Sequence, residues 1–157
     1  MRYRTLGTSD LKVSEISLGC WTLGGLNWVE DHSAGWAPID EKEATRAIHF
    51  AIERGVNHFD NADVYGNGRS ERLLAKALGA KSKDVVIATK LGYFKGTAAH
   101  AYEPLHIRHQ CEQSLKNLNR DVIDIYYFHN ADFGSKDQYL DEAVHVMQEL
   151  QKEGKIR

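Results

Sequence analysis

The sequence predicts a parallel α/β fold of the (β/α) TIM-barrel type, with about four β/α units preceded by a short β-hairpin. Three observations predict it. Short β-type runs alternate with helical stretches, the order that builds a parallel sheet. Four such units follow the first stretch of chain, enough for an open sheet or for half of an eight-stranded barrel, which takes roughly 250 residues. The last stretch, Gln151-Lys152-Glu153-Gly154-Lys155-Ile156-Arg157, reads as a helix exit leading toward another strand, which favours the half-barrel. The expected organisation is one partial barrel domain over 1–157, with the hairpin in 1–15 and the four units in 16–157.

Each element has its own local reason. Residues 2–6 and 11–14 flank the small turn Thr8-Ser9-Asp10 and form the leading hairpin. Ile16 to Trp21 reads as the first buried strand, and a long loop from Gly24-Gly25 to Pro38 follows, carrying Trp28 and Trp36. Loops of that length in compact domains tend to be functional. Asp40, with Glu43 three residues on, resembles a capping box. Ala44, Ala47, Ile48, Ala51 and Ile52 then repeat at helical spacing up to the cap Gly55. Strand two is Val56 to Asp60. Ser70 is expected to cap a second helix carrying Leu73, Leu74, Ala77 and Leu78, which stops at Gly79. Strand three, Asp84 to Lys90, holds the β-branched run Val85-Val86-Ile87. Pro104 opens helix three, where its missing N–H costs little, and Ile107, Cys111, Leu115 and Leu118 line it. Strand four runs through 122–128. A last helix places Leu140, Ala143, Val144, Met147 and Leu150 on one stripe before Gly154.

Composition narrows the function classes. Hydrophobic residues at 42% and charged residues at 27% are a globular balance. Lys plus Arg at 20 against Asp plus Glu at 22 leave a formal charge of −2, with no basic excess to attract a phosphate backbone. No nucleic-acid partner is expected. The apolar runs fall short of the roughly 20 residues that cross a bilayer, and the opening Met-Arg-Tyr-Arg-Thr lacks a signal-peptide core. Cys20 and Cys111 show neither metal spacing nor a C-x-x-C pair. The expectation is a reduced, soluble, cytoplasmic protein without a membrane partner.

Four polar residues stand at or just beyond the C-terminal ends of the expected strands: Asp60 and Tyr65 after strand two, Lys90 at the end of strand three, His129 at the end of strand four. Ligands gather at that edge in parallel α/β architectures. A phenol has a pKa of about 10, and a nearby ammonium favours its ionised form, so a tyrosine beside a lysine and an aspartate can serve as an acid. Each residue also has a plain reading. Asp60 can cap its turn, Tyr65 can be a loop aromatic, Lys90 can snorkel to solvent, and His129 can be a hydrogen-bonded structural histidine.

The blocks around these residues are recognisable together. Phe59-Asp60-Asn61-Ala62-Asp63-Val64-Tyr65-Gly66, then Gly68-Arg69-Ser70-Glu71 and Leu73-Leu74, resembles the aldo-keto reductase family. Val86-Ile87-Ala88-Thr89-Lys90 and Asp124-Ile125-Tyr126-Tyr127-Phe128-His129 resemble its next two blocks, in order and at suitable spacing. Tyr3-Arg4-Thr5-Leu6-Gly7 and Ser17-Leu18-Gly19-Cys20-Trp21 match its opening. One block alone is weak; four in register are specific. The resemblance covers essentially the whole chain, but only the N-terminal half of a family barrel.

The resemblance implies roles. Tyr65 is the general acid/base, Lys90 lowers its pKa, Asp60 holds Lys90, and His129 orients the substrate carbonyl, so Tyr65 and His129 meet the substrate. The implied cofactor is NADPH, contacted at Cys20, Trp21 and Asp60. Trp21 matches a tryptophan of the potassium-channel β-subunit-like branch, whereas Cys20 stands where Thr is more usual. The implied activity is reduction of aldehydes or ketones to alcohols, with a small carbonyl or alcohol as substrate. A regulatory NADPH-binding subunit and a non-catalytic half-barrel are the alternatives. A half-barrel leaves strands one and four as unpaired edges, which invite a second copy or a missing C-terminal half.

Other features carry less. Gly66-Asn67-Gly68 reads as a turn and helix start rather than a complete phosphate loop. His106, His109 and Cys111 lack the further ligands of a metal site, and no metal is expected. Trp28 and Trp36 can line the substrate mouth or pack their loop. Cys111 reads as core.

Overall fold

The structure, a computed structural model, describes residues 1–29 and 31–157. Strands β1 (Tyr3–Thr5) and β2 (Lys12–Ser14) pair antiparallel as the leading hairpin. Leu11 and Val13 of this hairpin are buried against Val86 and Ile125, the first residues or close to it of two strands of the main sheet. The hairpin therefore closes the N-terminal end of the sheet and leaves the opposite rim open. Asn57 fastens it there: Asn57 Oδ1 accepts from Ser14 N at 2.7 Å and Asn57 Nδ2 donates to Lys12 O at 2.9 Å.

The main sheet contains β3 (Leu18–Gly19), β6 (His58–Asp60), β7 (Val86–Leu91) and β8 (Ile125–Phe128) in that spatial order, all parallel. Helices α1 (Glu41–Glu53), α2 (Arg69–Leu78) and α3 (Pro104–Leu118) connect these strands, and α4 (Leu140–Lys152) follows β8. The four expected units are present, with β3 and β8 flanking the sheet as expected. Past α4 the chain comes back beside β8: Ile123 and Ile156 form a parallel bridge, so the exit of α4 does lead to strand pairing.

Sequence expectation and structure differ at several places. The first strand is shorter than Ile16 to Trp21, because after Cys20 N donates to Asp60 O at 2.8 Å the chain coils into a 3-10 turn over Trp21–Gly24. The long loop contains its own two-residue ribbon, β4 (Trp28–Val29) with β5 (His32–Ser33). Ser70 does not cap α2. Gly68 does, at φ +77°, while Ser70 is the second residue of the helix and donates its hydroxyl to Cys20 O at 2.7 Å, tying α2 to the end of β3. In α4 the buried residues are Ala143, Val146 and Leu150, and Val144 is 39% exposed. One residue past Ala143 a helix has already turned by more than a quarter, which carries Val144 off the sheet-facing stripe.

The other helix signals act as expected. Asp40 Oδ1 accepts from Lys42 N and Glu43 N at 2.8 and 3.2 Å, satisfying two donors that a bare helix end leaves open. Ile107, Cys111, Leu115 and Leu118 of α3 are buried and join Phe59, Ile87 and Leu91 in the core between sheet and helices. His106 Nε2 donates to Phe94 O at 2.7 Å, a plain structural tie. No helix of the described residues is long and apolar enough to cross a membrane.

Two glycines bring the long loop against the turn that follows β6. Gly66 stands at φ +61°, and a Cβ there would collide with the Gly24 carbonyl oxygen and meet Gly24 C and Cα at 2.8 Å. Gly66→Ala therefore combines left-handed strain with a backbone collision and is expected to cost on the order of 2–4 kcal/mol. Gly7→Ala, at φ +55° with open space around it, carries strain alone and is expected to cost about 1 kcal/mol. Chemical denaturation of both variants checks this; equal losses would show that the loop contact contributes nothing.

Candidate active site

The rim at the C-terminal ends of β6, β7 and β8 gathers the four side chains read from the sequence. Lys90 is the penultimate residue of β7, and its side chain is 14% exposed. Its ammonium has three acceptors: Asp60 Oδ1 at 2.8 Å, the Asn61 carbonyl at 2.7 Å and the Tyr65 hydroxyl oxygen at 3.2 Å. Three N–H bonds meet three oxygens, so the ammonium is fixed in direction as well as place. Because the Tyr65 oxygen accepts from Lys90, the Tyr65 O–H proton is turned elsewhere and stays available to an incoming oxygen.

Register explains the convergence. Asp60 pairs with Gly19 on one side and Ala88 on the other, and Lys90 pairs with Tyr127. Residues two apart share a face of a strand. Lys90 thus points to the same inner face as Ala88, beside Asp60, while Thr89 and Leu91 point to the helices. Asn61 N donates to Ala88 O and Asp63 N to Lys90 O, which carries the turn after β6 along the end of β7 and delivers Tyr65 over Lys90.

His129 follows β8, with its backbone N–H donating to Leu91 O at 2.7 Å. The Tyr65 and Tyr93 rings meet its imidazole edge-on at centroid distances of 5.7 and 4.6 Å. Burial first, and the Lys90 ammonium second, push the imidazole down to about 4, against a smaller opposing pull from Asp60. The ring is therefore neutral at neutral pH and has one N–H to donate. Between about 6.5 and about 4 the unfolded chain binds a proton here that the native state does not, so stability falls as pH drops across that window. Ring 15N resonances of His129, assigned by substitution, are expected to stay at their neutral positions down to pH of about 5. Titration near the ordinary histidine value would contradict the burial argument.

Tyr65 and His129 line a cavity of about 300 Å³ together with Trp21, Val64, Tyr93 and Asn27. Trp21 stacks on Tyr65 at a centroid distance of 6.2 Å, and Trp36 meets Trp21 edge-on at 5.2 Å. Trp36 thus touches the wall while staying 49% exposed, and Trp28 is 63% exposed. The loop is clamped to the site by Arg69 Nη1, donating to the Gly24 carbonyl at 2.6 Å, and by Asn27 Nδ2, donating to the Val64 carbonyl at 2.5 Å.

The structure does not bring Cys20 to this surface. The residue is fully buried, its N–H spent on Asp60 O and its carbonyl on Ser70, and burial pushes its thiol up to about 12. Of the three expected cofactor contacts, Trp21 and Asp60 present exposed surface. Sequence reading also passed over two contributors. Tyr93, three residues past Lys90, carries the same strand-end signal as the others. Asn61 acts through its main-chain carbonyl, which leaves no trace in residue type.

The aldo/keto reductase family profile matches residues 15–157. The uncharacterized oxidoreductase YqkF of Bacillus subtilis is 34% identical over the whole chain, which covers 47% of that protein. L-galactose dehydrogenase of Arabidopsis thaliana is 34% identical over 98% of the chain and 46% of its own length. Among solved structures, the holo form of aldo-keto reductase AKR11C1 from Bacillus halodurans superposes with a TM-score of 0.81 at 35% identity, covering all of this chain and 48% of that one. The chain spans about half the length of the curated relatives it matches.

Proposed function

The chain belongs to the aldo/keto reductase family, and from that premise we propose that it carries the acid–base machinery of an NADPH-dependent reductase of aldehydes and ketones. The observation that carries this reading is the ammonium of Lys90 held by Asp60 and Asn61 and directed at the Tyr65 oxygen. Tyr65 gives its hydroxyl proton to the carbonyl oxygen as an alkoxide develops. Lys90, donating to the same phenol oxygen, favours the phenolate that remains. Asp60 keeps Lys90 aligned, and neutral His129 offers an N–H to the substrate oxygen, fixing which face of the carbonyl meets the acid. Proton transfer of this kind is worth roughly a hundred- to ten-thousand-fold in rate. In the reverse direction Tyr65 takes the proton from an alcohol.

The residues present fit the reacting end of a nicotinamide cofactor. The exposed face of Trp21 borders the cavity, which has room for a nicotinamide or a small carbonyl compound but not for a whole dinucleotide, and the Asp60 carboxylate lies behind it on Lys90. NADPH, when bound, supplies the hydride that the carbonyl carbon receives. The choice of NADPH over NADH, and a cytoplasmic setting, belong to the same proposal.

A panel of small aldehydes and ketones with NADPH, followed at the nicotinamide absorbance, tests the reading. Consumption that depends on the carbonyl compound is expected. A folded protein that binds NADPH and turns over none of the panel would favour a regulatory NADPH-binding subunit instead.

A further inference from the structure

Behind the rim, on the helix side of the sheet, two carboxyl groups are shut away from water. Asp63 is 5% exposed and Glu71 fully buried. Glu71 Oε1 accepts from Thr89 Oγ1 at 2.7 Å and Oε2 from Asn117 Nδ2 at 2.9 Å. Asp63 Oδ2 accepts from Gln110 Nε2 at 3.0 Å, and its Oδ1 has no hydrogen-bond partner among the described residues. Every one of these donors is neutral, so among the described residues neither carboxylate has a cation bonded to it.

Both groups are wired to the site above them. The Asp63 N–H donates to the Lys90 carbonyl at 3.1 Å, and the Asp63 carbonyl accepts from Gly68 N at 2.8 Å, closing the turn on which Tyr65 sits. Thr89, the residue before Lys90, is gripped by Glu71. Strand β7, the Tyr65 turn, α2 and α3 thus meet at this pair.

We propose that Asp63, backed by Glu71, is a positioning residue for Tyr65 and Lys90; the inference rests on the acid–base reading above. Two negative charges in a dry interior without a bonded cation repel each other and lack solvation, so the pair retains a proton. Burial first, then the charge of Glu71, push Asp63 up to about 7, and burial raises Glu71 as well. The ionisable groups facing Asp63 are Glu71 on α2, Lys90 on β7, Tyr126 on β8 and Tyr102 ahead of α3, and Arg72 faces Glu71. The native state binds more protons at Asp63 than the unfolded chain between about 3.8 and about 7, so stability falls as pH rises through that window. Neutral Asp63 leaves the turn in register with β7. Ionised Asp63 sets an unpaired charge beneath it, and the hold on Tyr65 loosens.

Asp63→Asn keeps an acceptor for Gln110 and stays neutral at every pH, so it separates charge from shape. Protein carrying 13C at tyrosine Cζ, with Tyr65 assigned through Tyr65→Phe, reports the turn without any turnover. The Tyr65 signal is expected to pass through a transition near neutral pH in the unsubstituted protein and to stay flat there in Asp63→Asn. In carbonyl reduction, kcat is expected to lose an alkaline limb in Asp63→Asn with KM unchanged, whereas Asp63→Leu lowers kcat across the profile. A Tyr65 signal that does not move, or that moves equally in Asp63→Asn, overturns the inference. A transition that Asp63→Asn removes, without reduction at any pH, upholds the positioning role and removes the reductase reading instead.

Discussion

Tyr65→Phe is expected to abolish the proposed carbonyl reduction to within the background, a loss of roughly a hundred- to ten-thousand-fold, and to leave NADPH binding and thermal stability unchanged. The variant removes one oxygen and its proton and keeps the ring. The stack on Trp21 and the edge contact with His129 are ring contacts and therefore persist. Lys90 retains Asp60 and the Asn61 carbonyl as partners, so no buried charge is stranded. Turnover at constant cofactor saturation, beside a fluorescence titration with NADPH, measures the two quantities separately. Near-normal turnover in Tyr65→Phe would place the acid at another residue.

Lys90→Met has the second large effect, by a different route. Methionine matches the length of the stem but carries no charge and no donor. The Tyr65 oxygen loses its ammonium, and Asp60 and the Asn61 carbonyl lose their common partner. Reduction is expected to fall by on the order of a hundredfold or more, because the negative charge left on the phenol oxygen as it gives up its proton no longer has a cation beside it. The loss of fold stability is smaller: Asp60 is 39% exposed, and water takes over part of the solvation of its carboxylate. Near-normal turnover in Lys90→Met would remove Lys90 from the acid's environment.

Much of the site could be read before any coordinates, and the reason is geometric. A residue at the C-terminal end of a parallel strand must lie at the ligand-facing edge, whatever the details of packing. Asp60, Lys90 and His129 were placed by that rule together with strand boundaries set by β-branched runs. What could not be read depends on who lies opposite whom. Cys20 sits next to Trp21 in the chain, yet one is fully buried and the other 48% exposed, because the chain leaves β3 in a tight turn that Ser70 and Asp60 hold from two sides. Ser70 has the residue type of a helix cap, and it is the backbone of Cys20, fifty residues away in sequence, that claims its hydroxyl. Glu71 had a usable signal, since it falls on the helical stripe of Leu74 and Leu78, where a carboxyl group is out of place without a buried partner.

Residue order and periodicity alone were enough for the number of β/α units, the leading hairpin, most helix ends and the four polar side chains of the rim. Those features rest on local periods and on one topological rule, both of which are written along the chain. The fold in three dimensions decided the rest: the third acceptor of Lys90, the burial of Cys20, the loop docked through Gly24 and Gly66, and the dry pairing of Asp63 with Glu71. Each of these is a contact between segments brought together by strand register and helix packing. The free energy of such a contact depends on exclusion of water and on distances of a few ångströms, and neither quantity exists until the sheet has closed beneath its helices.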